Sequence, residues 1–278
     1  DRVLEIGKNA LLAPDVYEMT LVGDASAITA PGQFINIRLD GLYLRRPISV
    51  CDWGEGWIRV IYTVVGKGTA QMAQMTPGQK LDVLTGLGNG DDLAPARGKR
   101  IALVGGGVGI PPLYGLAKRL GGEAFCCALG FNRASEIFYA EEFAQYGKVV
   151  LTTADGSAGV RGFVTDALRQ LDYDYYFACG PEAMLRAVHA LGKEGQLSFE
   201  ARMGCGFGAC MGCSCETPAG PTRICVDGPV SRRGEVRFAS RRWWVPSPCP
   251  IRRGPPAAQS WSAFKRGSGP PSPPWRPF

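Results

Sequence analysis

Five of the ten cysteines in this 278-residue chain fall between Cys205 and Cys225, and their spacing carries the clearest chemistry in the sequence. The segment Met203-Gly-Cys205-Gly-Phe-Gly-Ala-Cys210-Met-Gly-Cys213-Ser-Cys215 sets three thiols as C-x4-C-x2-C, and Cys225 follows twelve residues after Cys213. Four thiolates at such spacing hold a [2Fe-2S] cluster. A short loop must then wrap one side of a flat iron–sulfur rhomb and aim backbone N–H groups at its sulfurs, which Gly204, Gly206, Gly208 and Gly212 permit by allowing close backbone approach. Tetrahedral zinc is the competing occupant. It fits less well, because zinc knuckles usually use two separate C-x2-4-C pairs, whereas three ligands here share one glycine loop. Cys215 competes for a ligand position, but in a strand-like Cys-x-Cys step one of Cys213 and Cys215 turns away. The expected metal ligands are Cys205, Cys210, Cys213 and Cys225. Cys51, Cys126, Cys127, Cys179 and Cys249 are scattered and read as buried free thiols.

A second candidate is the turn Leu103-Val-Gly105-Gly-Gly-Val-Gly109-Ile-Pro-Pro112, which joins an apolar run to a helical stretch. Glycines at such a turn let the backbone approach a pyrophosphate at a helix N-terminus. Ile110 breaks the G-x-G-x-x-G fingerprint, so the turn alone serves packing as readily as binding. Its weight rises because Ala178-Cys179-Gly180-Pro181-Glu182 follows and would bring a thiol to the same carboxyl edge of a parallel sheet. Arg133 and Ser135, after the next strand, could meet a 2′-phosphate or simply face solvent, which leaves the choice between NADH and NADPH open.

The elements that must position these residues can be read from periodicity. Residues 1–97 alternate β-rich runs, such as Phe34 to Leu39 and Trp57 to Val65, with Gly and Pro punctuation; short strands at this spacing predict a small antiparallel barrel. Residues 98–195 alternate buried strands (Arg100 to Val104, Ala124 to Gly130) with helical stretches (Pro112 to Leu120, Glu182 to Leu191), the pattern of a parallel α/β domain. Residues 196–238 are too few for a third core and need an inorganic staple. Residues 239–278, rich in Pro, Arg, Ser and Trp without periodicity, predict a disordered tail.

The formal charge of +6 is uneven: residues 231–278 hold ten basic residues and one acidic, leaving the preceding residues mildly acidic. That distribution does not predict nucleic-acid binding. The single histidine, His189, lies on the helical stretch and reads as a surface residue, which removes Ser-His-Asp triads, His-rich zinc sites and haem ligation. The chemistry must come from cofactors. No apolar run approaches the roughly 18 residues that span a bilayer, and no secretory signal opens the chain, so the expected compartment is the cytoplasm without membrane association.

Together the motifs carry a resemblance. Arg45-Arg46-Pro-Ile-Ser49, Ile61-Tyr62-Thr63, Gly66-Lys-Gly68-Thr69, Gly86-Leu-Gly88-Asn-Gly90, Gly105 to Pro112, Cys179-Gly-Pro181, the four cysteines and Val226-Asp-Gly-Pro-Val230 resemble, in that order, the electron-transfer subunits of dihydroorotate dehydrogenase B, within the ferredoxin–NADP reductase superfamily. The resemblance covers residues 1–238. It implies a flavin-binding barrel holding FAD at Arg46, Pro47, Ile48, Ser49, Ile61, Tyr62, Thr63, Gly68 and Thr69. Arg46 would fork onto the pyrophosphate, Ser49 would meet the flavin edge, and Gly68 and Thr69 would offer donors to phosphate. NAD is implied at Gly105, Gly106, Gly107, Gly109, Cys179, Gly180 and Pro181, with Cys179 near the nicotinamide. Ile48 stands where the superfamily has Tyr, and Thr85-Gly86 and Asp91-Asp92 replace a usual Gly-Pro and an aromatic.

NADH gives up two electrons as hydride while a [2Fe-2S] cluster takes one, so a flavin has to sit between them. No base for dihydroorotate is evident. The resemblance supplies a separate FMN-containing catalytic subunit, in a heterotetramer of two copies of each chain, which exchanges electrons with NAD+ through the cluster and FAD in pyrimidine biosynthesis. Two alternatives compete. The small subunit of an NADH-dependent ferredoxin–NADP oxidoreductase carries an acidic residue in place of the first cluster cysteine, so Cys205 argues against it. A non-catalytic zinc-binding module would lack flavin.

Overall fold

Along the first strands alternate side chains point inward, so that Leu4 and Ile6 are fully buried while Val3 is 70% exposed. In the computed structural model, which describes residues 1–120, 125–218 and 220–238, six strands close into an antiparallel barrel. They are β1 (Arg2–Ala13), β2 (Val16–Val22), β3 (Phe34–Ile37), β4 (Arg46–Gly54), β5 (Trp57–Thr63) and β6 (Lys80–Leu87), ordered β1-β2-β5-β4-β3-β6. Closure pairs every strand edge and surrounds an interior of Leu4, Ile6, Met19, Ile35, Val60 and Val83, against which Met72 of helix α1 (Lys67–Ala73) packs. The expected disordered tail at 239–278, with Cys249, lies outside the described residues, as does Ala124, taken above as the start of a strand.

The second layer alternates as expected: β7 (Ile101–Gly106), α2 (Ile110–Leu120), β8 (Phe125–Phe131), α3 (Ala140–Ala144), β9 (Lys148–Thr153), β10 (Val160–Arg161), α4 (Val164–Leu168), β11 (Tyr175–Cys179), α5 (Glu182–Ala190) and β12 (Glu194–Ser198). Strands β7, β8, β9 and β11 are parallel, and β7, β8 and β11 are buried from both sides along most of their length. They therefore read as continuous apolar runs. Helix α2 begins at Ile110, two residues ahead of the expected start, because Pro111 and Pro112 are accommodated in the first turn, where no N–H is needed. His189 sits on α5 with its ring against Phe238.

The cysteine segment contributes β13 (Ser214–Thr217) and β14 (Gly220–Arg223), a two-stranded hairpin, and β15 (Val230–Arg232). Strand β15 joins the large sheet antiparallel to β12, giving the order β10-β9-β8-β7-β11-β12-β15. Thus β12 straddles the domain boundary expected at 195, and the segment beyond it is hydrogen-bonded to the nucleotide-domain sheet.

Two polar clamps fix the barrel against the α/β layer. Asp52 of β4, its side chain 2% exposed, accepts from Lys118 Nζ at 2.5 Å and lies 3.5 Å from the Arg119 guanidinium of α2. Glu18 of β2 accepts from the Tyr139 hydroxyl at 2.7 Å and from Lys8 Nζ at 2.7 Å. Buried charge is tolerated there because it is paired and hydrogen-bonded.

Candidate functional site

The glycine-rich loop, with Cys225 just beyond the β13–β14 hairpin, brings the four expected ligands together in two pairs. The Cys205 and Cys210 sulfurs interact with each other, and so do those of Cys213 and Cys225, while Cys225 feels the charge of Cys205. Backbone N–H groups point at the sulfurs as that chemistry requires. Phe207 and Ala209 donate to Cys205 Sγ at 3.4 and 3.2 Å, Cys205 and Gly212 to Cys210 Sγ at 3.4 Å, and Cys225 to Cys213 Sγ at 3.4 Å. Burial raises the Cys205 thiol, but the N–H groups of Phe207, Cys210 and Ala209 with the Cys210 thiol outweigh it and hold it at about 7. Among the described residues no three His, Cys, Asp or Glu side chains converge on one point as around a single ion. Two thiol pairs, one within the loop and one joining it to Cys225 beyond β14, fit two metals bridged by sulfide better than one tetrahedral zinc. Cys215 stands apart: its sulfur contacts Thr222 Oγ1 at 3.3 Å across the β13–β14 hairpin.

On the barrel, residues Arg45 to Ser49 are all half-exposed, a break in the inward–outward alternation that leaves one face of β4 open. Arg45 is committed elsewhere, forking onto Asp82 at 2.9 and 3.1 Å. Arg46 donates instead to the neutral carbonyls of Leu44 and Arg45, and its guanidinium lies across Gly68 at the start of α1, close enough that a Cβ there would overlap it. A cation over a helix N-terminus of this kind suits a pyrophosphate. Thr69 sits beside it, but its hydroxyl accepts from Val65 and Gly66 N–H at 2.9 and 3.3 Å and donates to the Gly66 carbonyl. It caps the helix, which leaves the backbone rather than the hydroxyl to meet phosphate. Ile48 packs against the barrel core and Ile61 is buried between the barrel and the α/β layer. The Tyr62 ring points into the barrel, where its hydroxyl donates to Asn9 Oδ1 at 3.0 Å, so only its backbone can meet a ligand outside. Pro47 pairs with Asn36, Ser49 with Phe34. Thr63 lines a cleft of about 460 Å³ that also touches Gly107 and Val108.

At the carboxyl edge of the parallel sheet, Cys179 pairs in register with Gly105. A Cβ on Gly109 would overlap the Cys179 carbonyl, and one on Gly106 would reach Met184 Sδ at 2.7 Å. One on Gly105 would reach Ile110 at 2.6 Å. Gly107, at φ +53°, faces open space. Gly109 therefore lets the turn close against Cys179 and Gly180, Gly106 against Pro181 and Met184, and Gly105 against α2, while Gly107 presents bare backbone to a cavity of about 450 Å³ that Pro181 also lines. Cys179 itself is 4% exposed, and burial pushes its thiol up to about 12, which keeps it protonated at neutral pH. Replacing Gly109 by Ala is expected to force these strand ends apart and raise the KM for NADH about tenfold or more, since small misplacements of reacting groups cost rate steeply; steady-state kinetics checks it.

Two residues join these parts, and neither is marked in the sequence by a catalytic motif. Asn36 of β3, fully buried beside Pro47, donates from Nδ2 to the Cys205 carbonyl at 3.1 Å, tying the cluster loop to the open barrel face. Asn89 donates to the carbonyls of Asp227 and Val230 at 3.1 and 2.8 Å and accepts from the Val230 N–H at 3.2 Å. The motifs Gly86 to Gly90 and Val226 to Val230 are thus two halves of one clasp. Asn89→Ala leaves the buried Val230 N–H unpaired and is expected to cost about 1–2 kcal/mol, read as a lower denaturation midpoint.

Asp91, half-buried behind this clasp, has its carboxyl pushed up by burial to about 7 from an ordinary 3.8. The folded chain holds that proton more tightly than the unfolded one, so stability falls as pH rises from about 4 to about 7. Asp91→Asn should raise the melting temperature by about 2–4 °C at pH 8, for an effect of about 1 kcal/mol, and leave it unchanged at pH 4. Scanning calorimetry at the two pH values checks it.

Comparison with known proteins places this geometry. The model of the iron-sulfur cluster binding domain of dihydroorotate dehydrogenase B matches residues 200–237. The chain is 43% identical over 251 residues to the dihydroorotate dehydrogenase B (NAD(+)) electron transfer subunit of Fusobacterium nucleatum, covering 84% of this chain and 97% of that protein. It is 45% identical, with the same coverage, to that of Bacillus caldolyticus. Among solved structures it resembles an NADH-dependent reduced ferredoxin-NADP oxidoreductase (TM-score 0.76, 32% identity, 85% of this chain and 90% of that one). It shares only the fold with a ferredoxin NADP+ reductase from Neisseria gonorrhoeae (TM-score 0.58, 16% identity, 72% and 93%).

Proposed function

The chain belongs to the family of dihydroorotate dehydrogenase B electron-transfer subunits, and from that membership we propose how its residues divide the work. It is an oxidoreductase subunit that carries electrons between a catalytic subunit and NAD+ by way of a [2Fe-2S] cluster and FAD. The observation that carries the assignment of parts is the paired thiol loop, hydrogen-bonded through Asn36 to the strand that exposes Arg46 to Ser49.

Cys205, Cys210, Cys213 and Cys225 hold the cluster as thiolates, while the N–H groups around them offset its negative charge. Arg46, with the backbone of Gly68 and Thr69, holds the FAD pyrophosphate. Pro47, Ile48, Ser49 and the backbone of Ile61, Tyr62 and Thr63 shape the flavin seat, with Ser49 at the ring edge. Gly107 admits the NAD pyrophosphate, and Gly105, Gly106, Gly109, Gly180 and Pro181 hold the strand ends close enough to place Cys179 by the nicotinamide. Bound FAD supplies the conversion between paired and single electrons. The protonated Cys179 thiol puts no negative charge beside the nicotinamide, and the clamps at Asp52 and Glu18 keep the cleft from splaying.

The parts are a barrel at 1–97, a nucleotide domain at 98–195 and a cluster segment at 196–238. The partner is an FMN-containing catalytic subunit, two copies of each forming a heterotetramer in the cytoplasm; among the described residues no helix is long and apolar enough to cross a membrane. Cys210 is exposed beside Phe207 and Met211, which are 57% and 56% exposed. That apolar rim is where the partner takes electrons. Affinity purification of the chain from its native cell is expected to bring down one FMN protein in equal amount; recovery of the FAD-loaded chain without any flavoprotein partner would contradict this reading.

A further inference from the structure

The rim of the nucleotide cavity holds an acidic residue that the reading of the glycine turn leaves unused. Glu136 lies just beyond the carboxyl end of β8 and borders both the cavity of about 450 Å³ and the adjoining cleft. One carboxylate oxygen accepts from the Asn132 backbone N–H and side-chain amide at 3.3 and 3.0 Å, and the other takes the Arg133 Nε at 3.0 Å. Arg133, the cation that could meet a 2′-phosphate, is therefore already paired, and it also faces the charge of Asp155. The opposite wall suits a nucleoside. Phe163 presents a 70% exposed ring, and the buried Thr152 hydroxyl on this wall has no hydrogen-bond partner.

We propose that Glu136 selects NADH over NADPH, accepting the adenosine ribose 2′-hydroxyl and repelling a phosphate at that position. The inference rests on the placement of NAD along this sheet edge. A carboxylate beyond the second strand of a parallel sheet has the right acceptor character for a ribose diol, and a phosphomonoester brings a charge near −2 against the Glu136 carboxylate and a guanidinium that it already pairs. Like charges brought together in this way are a strong source of discrimination.

The test uses the FAD-loaded full chain. Calorimetry should show 5′-AMP binding at least about tenfold more tightly than adenosine 2′,5′-bisphosphate, and kcat/KM should favour NADH over NADPH about a hundredfold. Glu136→Gln should cut both preferences about tenfold or more by freeing Arg133. Adding Arg133→Ala should remove the gain toward the phosphorylated ligands, a reversal that a merely structural role for Glu136 would not produce. Equal binding of the two adenosine nucleotides by the unaltered chain, or unchanged preferences in Glu136→Gln while NADH is still oxidised, would overturn the proposal. An unaltered chain that neither binds nor oxidises NADH would overturn the placement of NAD itself, and this inference with it.

Discussion

Cys213→Ser yields a protein that still binds FAD and oxidises NADH with an artificial two-electron acceptor, within about twofold of the unaltered chain, but passes electrons to its catalytic partner about a hundredfold more slowly or not at all. The reason lies in the division of labour. Cys213 is 2% exposed and paired with Cys225, so the hydroxyl of serine replaces a buried thiolate. Iron and acid-labile sulfide should fall from about two of each per chain to a small fraction, because cluster ligation depends on all four thiolates. Cys215→Ser is the matched control. Its sulfur is equally buried but turned toward Thr222, and the variant should keep its iron. Iron loss in Cys215→Ser with retention in Cys213→Ser would reassign the fourth ligand.

The second large effect falls on the flavin. Gly68→Ala introduces one methyl group where the Arg46 guanidinium lies, and Arg46→Met removes the cation outright. Both changes should weaken FAD binding by about 10–100-fold, the equivalent of about 1.5–3 kcal/mol for a lost charge-assisted hydrogen bond. Flavin fluorescence titration of the FAD-stripped chain measures it. Thr69→Val should act differently. The Thr69 hydroxyl caps α1 through Val65 and Gly66, so its loss should cost about 1 kcal/mol of stability and move FAD affinity less than Arg46→Met does.

How much of this was legible in the sequence follows from how local each feature is. The cysteine loop could be read because its first three ligands lie within nine residues and its hydrogen bonds run between near neighbours. The strands of the barrel and of the parallel sheet could be read because inward-facing and fully buried strands leave different apolar periods. Asn36 was invisible as a functional residue, and Asn89 was seen only as part of the Gly86 to Gly90 motif, without a role. Their partners, Cys205 and the Asp227 to Val230 turn, lie far along the chain, and a lone asparagine in or beside a strand looks like any other polar residue. Strand β15 was missed for the same reason: three residues pairing with β12 leave no pattern of their own.

Other residues were legible in type and not in direction. Tyr62 continues the inward face of β5 after Ile58 and Val60, but Ile61 on the outward face is buried too, which alternation alone does not show: its side chain packs beneath the α/β layer. The glycines of the nucleotide turn look alike in sequence, yet Gly105 and Gly109 serve close packing, Gly106 packs against Met184 at the edge of the cavity, and Gly107 faces open space. Arg45 and Arg46 are also neighbours of one type. Only the position of Asp82 shows which of them is already neutralised.

The most direct test of the account is an anaerobic titration of the isolated full-length chain, purified with FAD and iron bound, with NADH as the only reductant and electron paramagnetic resonance as the readout. A reduced [2Fe-2S] signal should grow to about one spin per chain as NADH is added, and be absent from Cys213→Ser under the same conditions. Bleaching of the flavin with no cluster signal, or a chain whose thiols prove to hold zinc, would contradict it.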